Sequence, residues 1–185
     1  MRLFHLSDLH IGKRVNEFSM IEDQKYILER ILDLAEKEMP DGVILAGDIY
    51  DKQIPSAEAV QVFDEFITKL AERKFPVFVI SGNHDSAERL AFGGRLLNSR
   101  GIYLSPVYDG TVMKIPIADQ YGTVWIHLLP FIRPAAVRRV FEDESDLITD
   151  VQSAVRAVIS HMEIDPNERN ILVAHRSEEH TSELQ

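Results

Sequence analysis

The stretch from Val43 to Asp51, VILAGDIYD, constrains the fold of this 185-residue chain more than any other. It opens with four apolar residues, as a buried strand does. It then turns at Gly47, where a glycine lets the chain bend sharply, and two carboxylates, Asp48 and Asp51, follow the bend. Because ligand sites in open α/β sheets lie at the carboxyl ends of strands, this stretch predicts that Asp48 belongs to such a site.

Two other segments repeat this pattern. Each is an apolar run that leads directly into side chains able to bind metals, and each is followed by a helix-like segment. Short connections in a β-α-β-α-β series predict parallel strands with right-handed crossovers. Three strands are therefore expected to deliver polar side chains to one shared site. These side chains are Asp8 and His10 after residues 3–7, and Asn83, His84 and Asp85 after residues 77–81.

The rest of the chain predicts further strands and helices. Residues 111–117 and 123–129 alternate like a β-pair, and residues 147–162 carry apolar positions at helical spacing. A last apolar strand, residues 170–174, ends at His175. The polar segment 176–185, RSEEHTSELQ, has no core pattern and is predicted to be a non-native tail, so the domain is expected to span residues 1–175.

Composition narrows the class of protein. The chain has no cysteine, which excludes disulfides and thiolate metal sites and favours a cytoplasmic location. No signal peptide and no membrane span are predicted. A formal net charge of −10 argues against non-specific nucleic-acid binding. That objection weakens if the acidic side chains hold divalent cations, because the ions then supply positive charge.

The candidate ligands mix carboxylate, amide and imidazole groups, which suit Mn²⁺, Fe²⁺ or Zn²⁺ better than Ca²⁺. Asp48 lies on the middle of the three strands, where one carboxylate can bridge two ions. Two ions about 3.5–4 Å apart can clamp a phosphoester and activate water, so hydrolysis of a phosphorus–oxygen bond is expected. The predicted metal ligands are Asp8, His10, Asp48, Asn83 and His175.

His84 follows Asn83 on a turn and is predicted to meet the substrate and not the metal. An imidazole there can act as a proton donor to a leaving group, or as a cation facing the phosphate. Asp85 is expected to orient its imidazole.

The motif order D-x-H, G-D-x-x-D, G-N-H-D and a later strand ending in histidine is similar to that of the calcineurin-like metallophosphoesterases. The segments SDLHIGK, GDIYDKQIPSAEA, SGNHDS, RLLNSRGIYL and LPFIRP resemble the SbcD family of bacterial nuclease subunits. The resemblance implies an α/β sandwich of two mixed β-sheets flanked by helices, here incomplete at the C-terminus. It implies two divalent ions, with Mn²⁺ as the expected metal.

By motif, the resemblance assigns Asp8, His10 and Asp48 to one ion and Asp48, Asn83 and His175 to the other. It makes His84 the catalytic histidine, paired with Asp85. It also implies exonuclease and endonuclease action on DNA ends and hairpins, in repair, replication and recombination. The expected partners are DNA and an SbcC-type ATPase subunit, with a homodimer inside a heterotetramer.

The dimer is expected through the helix of residues 56–74 and the one after Ser86, because Val62 and Phe66 add apolar surface to the first of these helices. The family's G-H-x-H motif is absent, so the chain is expected to be a fragment with weak metal binding, little activity and poor solubility. Two alternatives remain open: a phosphatase or small-molecule phosphodiesterase on the same fold, or an inactive fragment.

Overall fold

The structure, a computed structural model, describes residues 1–176. Residues 177–185, which hold all but Arg176 of the predicted tail, lie outside the described residues. The strands are β1 Leu3–Leu6, β2 Arg14–Val15, β3 Phe18–Ser19, β4 Gly42–Ala46, β5 Val77–Ile80, β6 Ile102–Leu104, β7 Met113–Asp119, β8 Gly122–Leu128 and β9 Arg169–Val173. The α-helices are α1 Ile21–Glu38, α2 Ala57–Glu72, α3 Ala87–Leu90, α4 Gly94–Leu97, α5 Pro134–Val140 and α6 Val151–Ser160, with 3₁₀-helices at Asn98–Arg100 and Glu142–Leu147.

The first sheet is parallel throughout its four described strands, in the order β1-β4-β5-β6. All five residues of β4 are buried, because helices cover one face and the second sheet covers the other. Strands buried on both faces are apolar along their whole length. The predicted parallel arrangement is confirmed, and the carboxyl ends of β1, β4 and β5 lie side by side.

The second sheet is mixed. Strands β7 and β8 form an antiparallel hairpin, and β9 lies parallel to β8 on its other side. Of the two sheets expected to be mixed, only this one is mixed in the described part of the chain. The expected α/β sandwich of two sheets with flanking helices is otherwise confirmed.

Alternate residues of β4 face opposite layers. Val43 and Leu45 pack against α1 and α2, whereas Ile44 and Ala46 pack against the second sheet. Helices α5 and α6 cover a third core with Leu129 among its residues. Helices α1 and α2, the first sheet and the second sheet are therefore stacked in that order. The polar side chains lie at the carboxyl ends of the first sheet's strands.

Helix α2 begins where the sequence predicts. The hydroxyl oxygen of Ser56 accepts a hydrogen bond from the Ala59 amide at 3.2 Å, which caps the helix. Val62 and Phe66, expected as surplus apolar surface on this helix, are 4% and 2% exposed and belong to the core shared with α1. The premise that they face a second copy of the chain is therefore wrong.

None of the helices in residues 1–176 is both long enough and apolar enough to cross a lipid bilayer.

Candidate metal centre

The site is built from tight turns after β1 and β4. Asp8, His10 and Asp48 all have left-handed backbones, with φ of 56°, 43° and 49°. A non-glycine residue in this region costs about 1–3 kcal/mol and persists only where its surroundings hold it. Here the two turns hold each other: the Asp8 amide donates to the Gly47 carbonyl at 3.1 Å, and the His10 amide donates to the Asp48 carbonyl at 2.9 Å.

Asp48 lies at the centre of the site and is only 3% exposed. Its Oδ2 lies 3.7 Å from Nε2 of His10 and 3.5 Å from Nε2 of His175. Its Oδ1 accepts a hydrogen bond from the His84 amide at 2.9 Å. One carboxylate thus lies between two imidazoles that come from opposite ends of the chain.

The first group of donors consists of Asp8, His10 and Asp48. One ligand atom from each lies within 4.8 Å of the others. Nε2 of His10 is 3.8 Å from Oδ1 of Asp8, and the ring's Nδ1 is buried without a hydrogen-bond partner in the described residues. A buried polar atom without a partner is costly unless a small shift completes a contact. One such contact would be to Oδ1 of Asp51, which lies 3.8 Å from this Nδ1.

The second group of donors consists of Asp48, Asn83 and His175. Nδ1 of His175 lies 2.8 Å from the Ala46 carbonyl oxygen, and a carbonyl oxygen can only accept, so Nδ1 carries the proton. In the neutral ring Nε2 is then an acceptor, and it lies 3.1 Å from Oδ1 of Asn83. With Oδ2 of Asp48 nearby, three acceptors converge, an arrangement that a cation stabilises.

Both groups fit a metal ion. Ligands about 2.1 Å from one ion lie roughly 3.0–3.4 Å apart in octahedral or tetrahedral geometry. The donor pairs measured above lie 3.1–3.8 Å apart, so small movements would close them around an ion. Asp48 belongs to both groups, which makes it the residue able to bridge.

Two glycines make this close packing possible. A Cβ atom at Gly82 would lie 2.1 Å from Oδ1 of Asp48, and one at Gly47 would lie 2.6 Å from the His175 ring. Gly47 also has φ of +88°, which a side chain would strain. The sequence predicted the turn at Gly47, but it carried no sign that Gly82 is needed for the approach of Asp48.

His84 is oriented by the backbone of the turn after β4. Its Nδ1 lies 3.1 Å from the Asp51 carbonyl oxygen, so Nδ1–H donates, and Nε2 has no hydrogen-bond partner among residues 1–176. Its ring meets that of His10 edge to face, with centroids 4.9 Å apart. His84 therefore lies beside the donors of the first group without contributing to them.

The expected pairing of His84 with Asp85 is wrong. The Asp85 carboxylate is 6% exposed and accepts three backbone hydrogen bonds, from Ile49 at 3.1 Å, Tyr50 at 2.9 Å and Gly82 at 2.8 Å. Burial raises the pKa of this carboxyl group, and the three amides oppose that rise. Asp85 thus ties the turn after β4 to the turn after β5, and the partner expected for His84 is supplied instead by Asp51.

Asp51 has a larger part in the site than its sequence context indicates. The sequence alone favours a residue that only forms the turn, or an acid that does not touch the metal. In the structure, the carbonyl of Asp51 contacts His84, and the carboxylate of Asp51 lies beside His10. The G-D-x-x-D spacing is the sequence feature that could have indicated this role of Asp51. The structure brings together all five predicted ligands and His84, and separates Asp85 from the imidazole it was expected to orient.

Comparisons with known proteins identify the family of this chain. The family model described as calcineurin-like phosphoesterase matches residues 1–183. The D subunit of nuclease SbcCD from Staphylococcus epidermidis is 36% identical over 178 residues, which cover 95% of this chain and 46% of the relative. Its counterpart from Staphylococcus saprophyticus is 34% identical with the same coverage. The chain spans about half the length of the curated relatives it matches.

The family model matches nearly the whole chain, and the structure is a two-sheet sandwich whose strand ends converge on Asp48. The chain therefore belongs to the calcineurin-like phosphoesterase family, whose members bind divalent metals.

Proposed function

We propose that this chain is the catalytic part of a metal-dependent DNA phosphodiesterase, an exonuclease and endonuclease acting on double-strand ends and hairpins in repair, replication and recombination. The position of Asp48 Oδ2 between His10 and His175 carries the proposal, because a shared carboxylate is what a two-ion phosphoesterase needs. The relatives named as nucleases favour DNA as the substrate over a small phosphodiester or a phosphomonoester.

Two divalent ions, with Mn²⁺ as the proposed metal, would be held by the two donor groups that share Asp48. When bound, the ions supply a water-derived nucleophile and neutralise charge on the phosphate. The chain supplies the fixed geometry: the interlocked turns hold Asp8, His10 and Asp48, and the Ala46 carbonyl holds the His175 ring.

His84 is the proposed proton donor. Because Nδ1–H is held by the Asp51 carbonyl, the imidazolium would release its second proton from Nε2 to the leaving oxygen of the cleaved phosphodiester. The ring then returns to the neutral Nδ1–H form, which the same carbonyl stabilises. A positioned acid of this kind contributes about 10²- to 10⁴-fold in rate.

The proposed partners are DNA and an SbcC-type ATPase subunit, because the relatives are named as one component of the nuclease SbcCD. We propose a homodimer within that complex. Two exposed apolar side chains in the segment after Ser86 support the homodimer: Phe92 is 87% exposed and Leu96 is 80% exposed. A cytoplasmic location stays a prediction.

The test compares three substrates in Mn²⁺: hairpin DNA, bis(p-nitrophenyl) phosphate and p-nitrophenyl phosphate. It uses the 185-residue chain beside a version extended to the length of the relatives, since the whole protein's activity is part of the proposal. Asp48→Asn is the active-site variant. Asp143→Asn, at an exposed acid away from the site, is the matched control.

In the extended version we expect DNA cleavage that Asp143→Asn retains and Asp48→Asn loses, and in the 185-residue chain we expect little cleavage. Calorimetry should show Asp48→Asn weakening both Mn²⁺ sites together, because one carboxylate serves both. One site of normal affinity beside one lost site would show that Asp48 does not bridge. Preferential hydrolysis of the phosphomonoester would identify a phosphatase instead, and no turnover by either version would contradict the enzyme itself.

A further inference from the structure

A cavity of about 290 Å³ opens beside the metal centre. Residues of the centre and of the segment before α5 share its wall, although residues 83 and 133 are far apart in sequence. Its size lies just below the usual range of small-molecule sites, roughly 300–1,000 Å³, which leaves room for one nucleotide but not for a duplex. Its lining includes Gln53, Asn83, Asp85, Tyr108, Phe131 and Arg133.

The segment that carries Arg133 is hydrogen-bonded to the end of β5, beside the metal centre. The Phe131 amide donates to the Ser81 carbonyl at 2.8 Å, which joins this segment to the end of β5. Ile132 is 3% exposed and Val137 is fully buried, so the chain is anchored on both sides of Arg133. Pro134 then begins α5. A short anchored segment thus presents Arg133 on the rim of a cavity that also reaches Asn83.

The charge of Arg133 is available. Its side chain is exposed, and no carboxylate oxygen of another described residue lies within 4.0 Å of its guanidinium nitrogens. Glu88 also lines the cavity, and the pKa of its carboxyl group is lowered by its own backbone amide first, then by the Ser86 hydroxyl, and least by Arg133. The Asp85 carboxylate already accepts three amides.

The lining combines the Arg133 guanidinium with aromatic and amide side chains and with the carboxyl groups of Asp85 and Glu88. A guanidinium matches two oxygens of a phosphate. An aromatic side chain such as Phe131 gives a base or sugar an apolar wall, and the Gln53 amide can donate and accept hydrogen bonds. In a chain of net charge −10, Arg133 places a positive charge beside the proposed phosphodiester site, where a substrate phosphate can pair with it.

We propose that the cavity is the subsite for the nucleotide adjacent to the cleaved bond, and that Arg133 binds the phosphate of that nucleotide. This inference rests on the proposed nuclease function and extends it, because it assigns the substrate-binding wall to the LPFIRP segment outside the metal-ligand motifs. Arg133 is then a binding residue that aligns the strand, while His84 and the metal centre act on the neighbouring phosphate.

The first experiment measures binding without metal. A fluorescein-labelled oligothymidylate is titrated in EDTA by anisotropy at several salt concentrations. The proteins are wild type, Arg133→Gln, Arg133→Lys and Arg139→Gln, an exposed arginine of α5 outside the cavity lining. Arg133→Gln and Arg139→Gln each remove one positive charge, so the two variants differ only in the position of the lost charge. Circular dichroism checks that each is folded.

We expect Arg133→Gln to weaken binding about tenfold, as for the loss of one charge-assisted contact. The slope of log affinity against log salt should shrink by about 0.7, as expected for one lost contact to single-stranded phosphate. Arg139→Gln should change neither quantity appreciably, and Arg133→Lys should keep the slope. Equal effects of the two glutamine variants, or a wild type without measurable affinity, would overturn the subsite.

The second experiment separates this inference from the proposed function. In Mn²⁺, Arg133→Gln should raise KM for the oligonucleotide about tenfold and change kcat less than KM, whereas Arg139→Gln should change neither. A loss confined to kcat would contradict a binding role. If wild type hydrolyses neither the oligonucleotide nor bis(p-nitrophenyl) phosphate, the proposed nuclease function fails, while the binding titration still decides whether Arg133 holds a phosphate.

Discussion

The imidazole of His84 is held by a main-chain atom: its Nδ1 lies 3.1 Å from the carbonyl oxygen of Asp51. Asp51 belongs to the turn after β4 and His84 to the turn after β5, so the contact joins two strand ends. A carbonyl oxygen cannot donate, which fixes the proton on Nδ1 and directs Nε2 away from the contact. The orientation of the proposed acid is therefore a property of the turn and needs no neighbouring carboxylate.

In the version extended to the length of the relatives, His84→Ala should lower phosphodiester cleavage about 10²- to 10⁴-fold, because it removes a positioned proton donor. It should leave Mn²⁺ affinity nearly unchanged, because the ring contributes to neither donor group. Turnover of bis(p-nitrophenyl) phosphate and calorimetric titration with Mn²⁺ measure the two quantities. His161→Ala, at the histidine that follows the last residue of α6, is the control. Loss of metal binding in His84→Ala would make this histidine a ligand.

Asp85→Ala should lower the free energy of unfolding by about 3 kcal/mol or more, because it leaves three buried amides without an acceptor. Asp85→Asn keeps one acceptor oxygen and should cost about 1–3 kcal/mol. Urea unfolding in EDTA measures both without any contribution from metal binding. If Asp85→Asn is as stable as wild type but has lost catalytic activity, the Asp85 carboxylate has a chemical role and not only a structural one.

The acid sensitivity of the fold should depend on Asp119. Its carboxylate accepts two hydrogen bonds from Arg169, at 2.7 and 2.8 Å, and lies 3.1 Å from the Met1 amine. The Arg169 contact is the largest cause that holds the pKa of Asp119 below its ordinary value. A carboxyl group whose folded pKa is lowered stabilises the fold fully above its unfolded pKa, about 3.9, and this is lost as pH falls toward the folded pKa.

Asp119→Asn should therefore lower Tm at pH 7 and at pH 5 by the same amount, and the difference from wild type should shrink below about pH 3.9. Thermal unfolding at matched pH measures it, with Asp143→Asn as a control that should show no such dependence. If the difference in Tm between wild type and Asp119→Asn is larger at pH 3 than at pH 7, the predicted direction of the pH dependence is wrong.

The proposed dimer should depend on the segment after Ser86 and not on Val62 or Phe66. The double variant Phe92→Glu, Leu96→Glu places two charges on the most exposed apolar side chains of that segment. It should raise the dimer dissociation constant at least about tenfold, because a charge in an apolar interface loses solvation. Leu147→Glu, at a side chain 73% exposed elsewhere, is the matched control. Light scattering of a wild type already monomeric at micromolar concentration would contradict the dimer.

The sequence by itself predicted the order of the main strands and helices, without β2, β3 and α5, and most of the polar side chains that the structure brings together at the site. Apolar runs that end in Asp8, Asp48 and Asn83 predict parallel strands with ligands at their carboxyl ends, since strand burial and turn formation are local properties of the chain. His175 could be named as well, because a final apolar strand leads into it. The bounds of the β-pair and of α6 differ from the structure by only a few residues.

Only the tertiary structure decided which neighbours each polar side chain meets. Asp85 follows His84 directly in sequence, yet two of the three amides that its carboxylate accepts are 35 or more residues away, and the Asp51 carbonyl contacts His84 in its place. Val62 and Phe66 are buried by α1, so their apolar character did not mark an outer surface. Arg133 reaches the cavity beside Asn83 because the Ser81 carbonyl anchors its segment there. Side-chain partners are set by contacts between distant segments, and no local pattern of residues encodes the distance between two turns.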